Sequence, residues 1–159
     1  MASFSKFLDT FDPDPNIRGK QFEVFVKMIL ENDPYWSSKV DKIWLWKDWP
    51  GRWGRDKGID LVFKDKSGET WAVQAKCKSQ DYYITKSDVD KFLAESNREQ
   101  IDKRLFITTT DRIGKNAIDT INNQHTKAVT LFRYANFEEA DVDYPVHFSK
   151  LSKTKRKKI

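Results

Sequence analysis

The sequence predicts an α/β domain: a mixed central β-sheet flanked by helices on both faces. Two observations carry that expectation. Helical and strand periodicities alternate in the order α-β-β-β-α-β-α-β. The 159 residues, 38% hydrophobic and 14% aromatic, are enough for one domain with its own core.

Each element has a local reason. Residues 1–17 read as an N-terminal arm or helix carrying Phe4, Phe7, Leu8 and Phe11, closed by the breaker "DPDPN". From Gly19 to Asn32, Phe22, Phe25, Val26, Ile29 and Leu30 fall at helical spacing, and this amphipathic helix ends before Pro34. Val40 to Trp49 suits a strand, and "PGRWGRDKG" is a Gly/Pro loop. "IDLVF" (59–63) and "WAVQAKC" (71–77) are two strands around the turn "KDKSGE". "SDVDKFLAESNREQI" is a helix capped by Thr85 or Ser87, and "RLFITTT" is a strand rich in β-branched residues that Thr108 to Thr110 close. "IGKNAIDTINNQ" is a further helix and "KAVTLFRY" a last core strand, whereas residues 136–152 are poorly patterned. The expected divisions are the arm or helix 1–17, the main domain 18–150, and a basic tail 151–159 that is a flexible end or the start of a linker.

Charge and composition narrow the function. The net charge is +5, yet from Lys150 onward six basic residues meet no acid, which leaves 23 basic against 24 acidic residues in the body. The basic character therefore belongs to the tail and says little about the body's partners. A single Cys77 rules out a disulfide scaffold and a cysteine zinc site. No apolar run approaches the ~20 residues a bilayer requires, so no membrane partner is expected and a cytoplasmic location is. No GxxxxGK[ST] occurs, and His125 and His147 have no metal-ligand spacing.

Strand alternation singles out one constellation. In "WAVQAKCKS", Trp71, Val73, Ala75 and Cys77 share one face, and Ala72, Gln74, Lys76 and Lys78 the other. Ile59, Leu61 and Phe63 are the apolar face of the preceding strand, which turns Asp60 and Val62 the opposite way. Both apolar faces meet on one side only if the hairpin loop has three or five residues. With "SGE" as that loop, Asp60 lies opposite Lys76 and Val62 opposite Gln74. Asp60, Gln74 and Lys76 then cluster on one face.

Such a cluster suits metal-assisted phosphodiester hydrolysis. The Asp60 carboxylate, the Gln74 side-chain carbonyl and the Ala75 backbone carbonyl are hard oxygen ligands of the kind Mg²⁺ prefers. Lys76 is placed to position an attacking water or to neutralise transition-state charge. Gln74 brings no charge, so a supplementary acid is expected. Glu23, beside the apolar stripe of the first long helix, is the candidate; its alternative is a surface pair with Lys27. Arg52, Arg55 and Lys57 in the loop before Asp60, with Lys78 beyond Lys76, are expected phosphate contacts. The tryptophans of "IWLWKDWPGRWGRDKG" are core plus loop, or a platform on which bases stack.

The order "RGKQFEVFV", "GIDLVF", "VQAKCK", then "LFITTT" and a helix resembles the Mrr-like branch of the PD-(D/E)xK nuclease superfamily, over roughly residues 18–132. In that branch Gln commonly replaces the acid before x-Lys. Ile59 stands where the superfamily's nominal motif has Pro, which is ordinary there. The resemblance implies a restriction-endonuclease-like fold and a nuclease domain over 18–150. It carries the catalytic set onto Glu23, Asp60, Gln74 and Lys76, with Mg²⁺ as cofactor and Mn²⁺ as substitute. It further implies an endodeoxyribonuclease acting on double-stranded DNA, paired or dimeric on its substrate. A helicase or translocase domain in the same or another chain would then be a partner, as in the large restriction enzymes whose N-terminal module this chain resembles. Two alternatives stay open: a catalytically silent DNA-binding module of the same fold, and a Holliday junction resolvase-like nuclease.

Overall fold

Five strands form one mixed sheet in the order β1-β2-β3-β4-β5, antiparallel across the first two pairings and parallel across the last two. They are β1 (Val40–Leu45), β2 (Leu61–Asp65), β3 (Thr70–Lys76), β4 (Lys103–Thr108) and β5 (Val129–Phe132). The computed structural model describes residues 3–55, 58–153 and 155–156. Helices α1 (Phe4–Leu8), α2 (Pro15–Asn32) and α3 (Pro34–Ser37) precede the sheet, while α4 (Lys86–Glu95) and α5 (Lys115–Asn122) make the two parallel crossovers. After β5 come α6 (Tyr134–Glu139) and a small antiparallel pair, β6 (Val142–Asp143) with β7 (Lys155–Arg156). Of the expected basic tail, residues 154 and 157–159 lie outside the described residues.

The sheet buries both faces. Leu61, Phe63, Trp71, Val73, Leu105 and Ile107 pack in one cluster with the apolar residues of α1, α2, α3 and α6. Val62, Ala72 and Phe106 pack on the other side with Val89 and Phe92 of α4 and Ala117 and Ile121 of α5. The first helix is part of this core: Phe4, Phe7, Leu8 and Phe11 are all buried, and the Phe4 and Phe137 rings stack with centroids 4.3 Å apart. Residues 136–152, unreadable by periodicity, supply the buried Phe137, Val142, Tyr144 and Leu151 to the same cluster.

Two boundaries that differ from expectation have local reasons. Helix α2 starts at Pro15 rather than near Gly19, because the proline occupies its first turn and Asp14 caps it, accepting from the Asn16 and Ile17 N–H groups. The strand expected over Val40–Trp49 ends at Leu45, and Trp46–Asp48 turn as a 3-10 helix. There Trp46, Trp49 and Trp53 pack on one another with centroids 5.0–6.0 Å apart, and Trp46 Nε1 donates to the Gly54 carbonyl. Those three tryptophans build the loop's own core.

The hairpin register also differs, and this matters most for the site. Val62 pairs with Ala72 and Leu61 with Val73, so Asp60 falls beside Val73 and is not opposite Lys76. The loop has three residues, as the shared apolar face requires, but they are Lys66–Gly68. Asp65 starts the turn by accepting the N–H groups of Ser67 (2.9 Å) and Glu69 (3.0 Å), and Gly68 takes the left-handed position at φ 87°. Burial opposes the Asp65 charge, but the Trp71 indole N–H, those two backbone N–H groups and the nearby Lys103 outweigh it. Its carboxyl sits below the usual aspartate range.

One buried cation ties the second helical layer to the sheet. Arg104 of β4, 2% exposed, donates to Ser96 Oγ and the Leu93 carbonyl at the end of α4. It also donates to Gln124 Oε1 and the Lys127 carbonyl beyond α5. A guanidinium satisfies helix C-terminal carbonyls well, since both hydrogen bonding and the helix dipole favour a cation there. Arg104→Met, which keeps the bulk and strands these acceptors, is expected to cost about 3 kcal/mol. Thermal unfolding followed by circular dichroism checks it: a melting temperature within a degree or two of the parent's would be the contrary result.

Candidate active site

The site lies where β1 ends, β2 begins and β3 runs out. Asp60, one residue ahead of β2, splits its backbone between two neighbours. Its carbonyl accepts from the Trp46 N–H towards β1 (2.9 Å), and its own N–H donates to the Val73 carbonyl of β3 (2.9 Å). A regular strand residue turns both groups to the same partner. Asp60 and Leu61 therefore both stand against Val73, the two-against-one arrangement of a β-bulge, which re-aims a side chain. Here it turns the carboxylate onto β3. Asp60 Oδ2 accepts the Ala75 N–H at 2.8 Å and faces Gln74 Nε2 at 3.4 Å.

Asp60, Gln74 and Ala75 are thus brought together, through a register two residues from the one expected. Gln74 is only 8% exposed, so the second face of β3 is not a solvated one. Lys76 is half-buried and pairs in register with Thr108, whose buried Oγ1 has no hydrogen-bond partner among the described residues. Burial pushes the Asp60 carboxyl above the ordinary aspartate range, against the Ala75 N–H, the Gln74 amide and the charges of Lys76 and Lys20, which all pull it down. Carboxylates in this condition are frequent in functional sites.

A cleft of about 300 Å³ opens on Asp60. Helix α2 lines it with Lys20 and Glu23, and the end of β1 with Trp46 and Lys47. Arg55 of the Gly/Pro loop lines it as well, above Ile59. Glu23 therefore shares a cleft with Asp60, as its place beside the apolar stripe suggested. Its side chain is 19% exposed and stands 3.7 Å from Lys20 Nζ, while Lys27 pairs with Glu31.

The expected phosphate contacts divide. Arg55 lines the cleft. Arg52 is exposed but folds back on its own loop, donating Nη1 to the Trp49 carbonyl at 2.9 Å. Lys78 stands outside the cleft with its ammonium 4.6 Å above the Tyr82 ring. Lys57 lies outside the described residues. Sequence reasoning missed Lys20 and Lys47. Lys20 was findable, since it is one helical turn before Glu23; nothing in the sequence pointed to Lys47.

The donor set fits a hard divalent cation: two carboxylates, an amide carbonyl and a backbone carbonyl. Ala75 turns its N–H towards Asp60, and a strand residue directs its carbonyl to the same side. Among the described residues no cluster of three or more His, Cys, Asp and Glu side chains exists, which accords with the uncharged Gln74 at the second strand position.

This five-stranded sheet with helices on both faces matches known restriction-endonuclease folds. The chain belongs to the Mrr-type restriction endonuclease family, whose pattern matches residues 31–155, a span that holds Asp60, Gln74 and Lys76 and leaves Glu23 outside. No curated protein matches the sequence. Among solved structures the fold is similar to that of the ATP-dependent Type ISP restriction-modification enzyme LlaBIII bound to DNA. The TM-score is 0.81 at 23% identity, over 99% of this chain and 10% of that one. It is also similar to the DNA modification-dependent restriction endonuclease AspBHI, with a TM-score of 0.55 at 12% identity, over 94% of this chain and 36% of that one. This chain thus spans about a tenth of the first and about a third of the second. At these identities the likeness speaks for the fold. No helix among the described residues is long and apolar enough to cross a membrane.

A carboxylate whose charge is opposed by burial makes the folded state less stable than a neutral isostere there. Asp60→Asn is therefore expected to melt at or above the parent's temperature at pH 7.5 in chelator. A raised folded pKa means that the parent gains stability as pH falls through it, so the gap should close on acidification towards the unfolded value of 3.8. Denaturant titrations of both chains across pH 4–8 check this; a variant less stable than the parent throughout would contradict it.

Proposed function

We propose that this chain is a divalent-metal-dependent endodeoxyribonuclease of restriction type and the nuclease module of a larger, ATP-driven enzyme. The observation that carries the reading is the Asp60 carboxylate, bonded to Ala75 and Gln74 and opening on a cleft shared with Glu23. Asp60, the Gln74 and Ala75 carbonyl oxygens and Glu23 would hold Mg²⁺, or Mn²⁺ in its place. Bound there, the cation would supply Lewis acidity and lower the pKa of a coordinated water.

The chain's own residues do the rest. The Ala75 N–H fixes one Asp60 oxygen and leaves the other for a ligand. Lys76, on the next outward position of β3, orients the attacking water and offsets charge on the phosphorane-like transition state. The water attacks in line, the P–O bond on the far side breaks, and no covalent enzyme intermediate forms. Arg55 in the cleft grips a flanking phosphate of duplex DNA, and Arg52, Lys57 and Lys78 are the further cations proposed to contact the backbone. One such site cuts one strand, so a double-strand break requires two copies or two events.

A second reading has an observation of its own. Gln74 presents its amide nitrogen to Asp60 rather than its carbonyl, an arrangement suited to a metal-free, silent DNA-binding module. Metal titration separates the two readings.

The test is cleavage of supercoiled plasmid in Mg²⁺ or Mn²⁺ by the parent, Asp60→Ala, Lys76→Ala and Glu23→Gln. Parental nicking that requires metal, with a loss of about 10²-fold or more in the first two variants, is the expected result. Glu23→Gln should raise the metal concentration needed for half-maximal nicking. Metal-independent nicking, or full activity in Asp60→Ala, would overturn the assignment.

A further inference from the structure

We infer that Lys20 is a substrate-contacting residue of the same site, a second lysine besides Lys76, which receives a DNA phosphate in the cleft that opens on Asp60. The inference rests on the nuclease reading above and adds a residue to it. Lys20 and Glu23 sit one turn apart on α2 and line the cleft together, and the Lys20 charge is felt at the Asp60 carboxyl. Lys20 thus enters the site from the helical layer, whereas Lys76 enters from the sheet.

The cleft's charge says what this lysine is for. Lys20, Lys47 and Arg55 outnumber the carboxylates Glu23 and Asp60. A divalent cation held by those carboxylates would leave the three cationic side chains facing an incoming anion. In the free protein Lys20 reaches Glu23 at 3.7 Å, with 82% of its side chain exposed. A pair that open adds little to the fold. It also leaves the ammonium within reach of whatever enters the cleft. Lys20 is more than a plain surface ion pair, since it lines the cleft onto which the Asp60 carboxylate opens. The cleft is also lined by Val24, Leu45 and Trp46, which add apolar surface beside the cations.

The test compares the parent, Lys20→Gln and Lys20→Arg in three measurements on the full chain. The first is nicking of supercoiled plasmid in Mn²⁺. The second is binding of a fluorescent duplex in Ca²⁺ as a function of salt. The third is Mn²⁺ binding without DNA, by calorimetry. Lys20→Gln is expected to bind Mn²⁺ at least as tightly as the parent, since it removes a positive neighbour of Asp60. It should nick about tenfold more slowly, and the slope of log Kd for duplex against log salt should shrink by about 0.9, one phosphate contact. Lys20→Arg should restore most of both. Parental nicking and an unchanged salt slope in Lys20→Gln would overturn the inference. So would slower nicking accompanied by weaker Mn²⁺ binding, which would make Lys20 a support for Glu23. If the parent binds duplex without cutting it, the salt slope alone decides. A parent that binds neither Mn²⁺ nor duplex would overturn the nuclease reading itself.

Discussion

Asp65 closes the central hairpin by accepting two backbone N–H groups and the Trp71 indole, with Gly68 in the one conformation that lets the chain turn there. The rest of the site depends on that closure. A hairpin held at Lys66–Gly68 sets Leu61 against Val73, and the bulge then has only one place to form, at the residue before the strand. Shifting the turn by a single residue would carry Asp60 away from the Ala75 N–H and turn β3 relative to β2. A buried carboxylate at one end of the hairpin therefore fixes the position of a second carboxylate at the other, about five residues and one sheet edge away. The two are tuned in opposite directions: hydrogen bonds hold Asp65 charged as a structural group, while burial leaves Asp60 short of compensation.

That contrast separates the parts of the molecule that hold it together from the site proposed to react. Arg104, as buried as any core phenylalanine, has each of its nitrogens matched to an acceptor. Thr109 and Thr110 exchange hydrogen bonds with the backbone of residues 78–82, which secures the stretch after Lys76. Near the cleft the matching is incomplete. Among the described residues Asp60 has one oxygen engaged, and the Thr108 hydroxyl beside Lys76 is buried without a partner, as are Trp53 Nε1 and Asp143 Oδ1. A buried group left unmatched beside a cleft is one available to a ligand.

Much of this was legible in the sequence, and the residues show why the remainder was not. Period-2 alternation placed Leu61, Phe63, Trp71 and Val73 on one face, and parity then demanded an odd loop, which the structure has. The alternation could not say where the loop starts, because "KSG" and "SGE" are both three-residue loops of the same parity; the first sets Asp65 at the start of the turn, where it also reaches Trp71. Pro15 read as a breaker because its position inside a first turn depends on the Asp14 cap before it. Residues 136–152 carry their buried aromatics singly, in elements too short to show a period. Glu23 was visible as an acid beside an apolar stripe. Lys47 was not, since it reaches the cleft only through the turn after β1.

The distribution of charge links the fold to its use. With the terminal cations set aside, the body carries one more acid than base, so the whole surface offers duplex DNA no general attraction. The cations that matter are gathered at one cleft by elements far apart in sequence: Lys20 from α2, Lys47 from the turn after β1, and Arg55 from the tryptophan-packed loop. The loop bearing Arg55 is held by Trp46, Trp49 and Trp53, with Arg98 stacked 4.4 Å over Trp53. A local field of this kind discriminates by geometry, because a phosphate feels it only when it is already seated near Asp60. Long-range attraction then rests with the terminal cations or, on the function proposed above, with the rest of a larger enzyme that delivers the module to DNA.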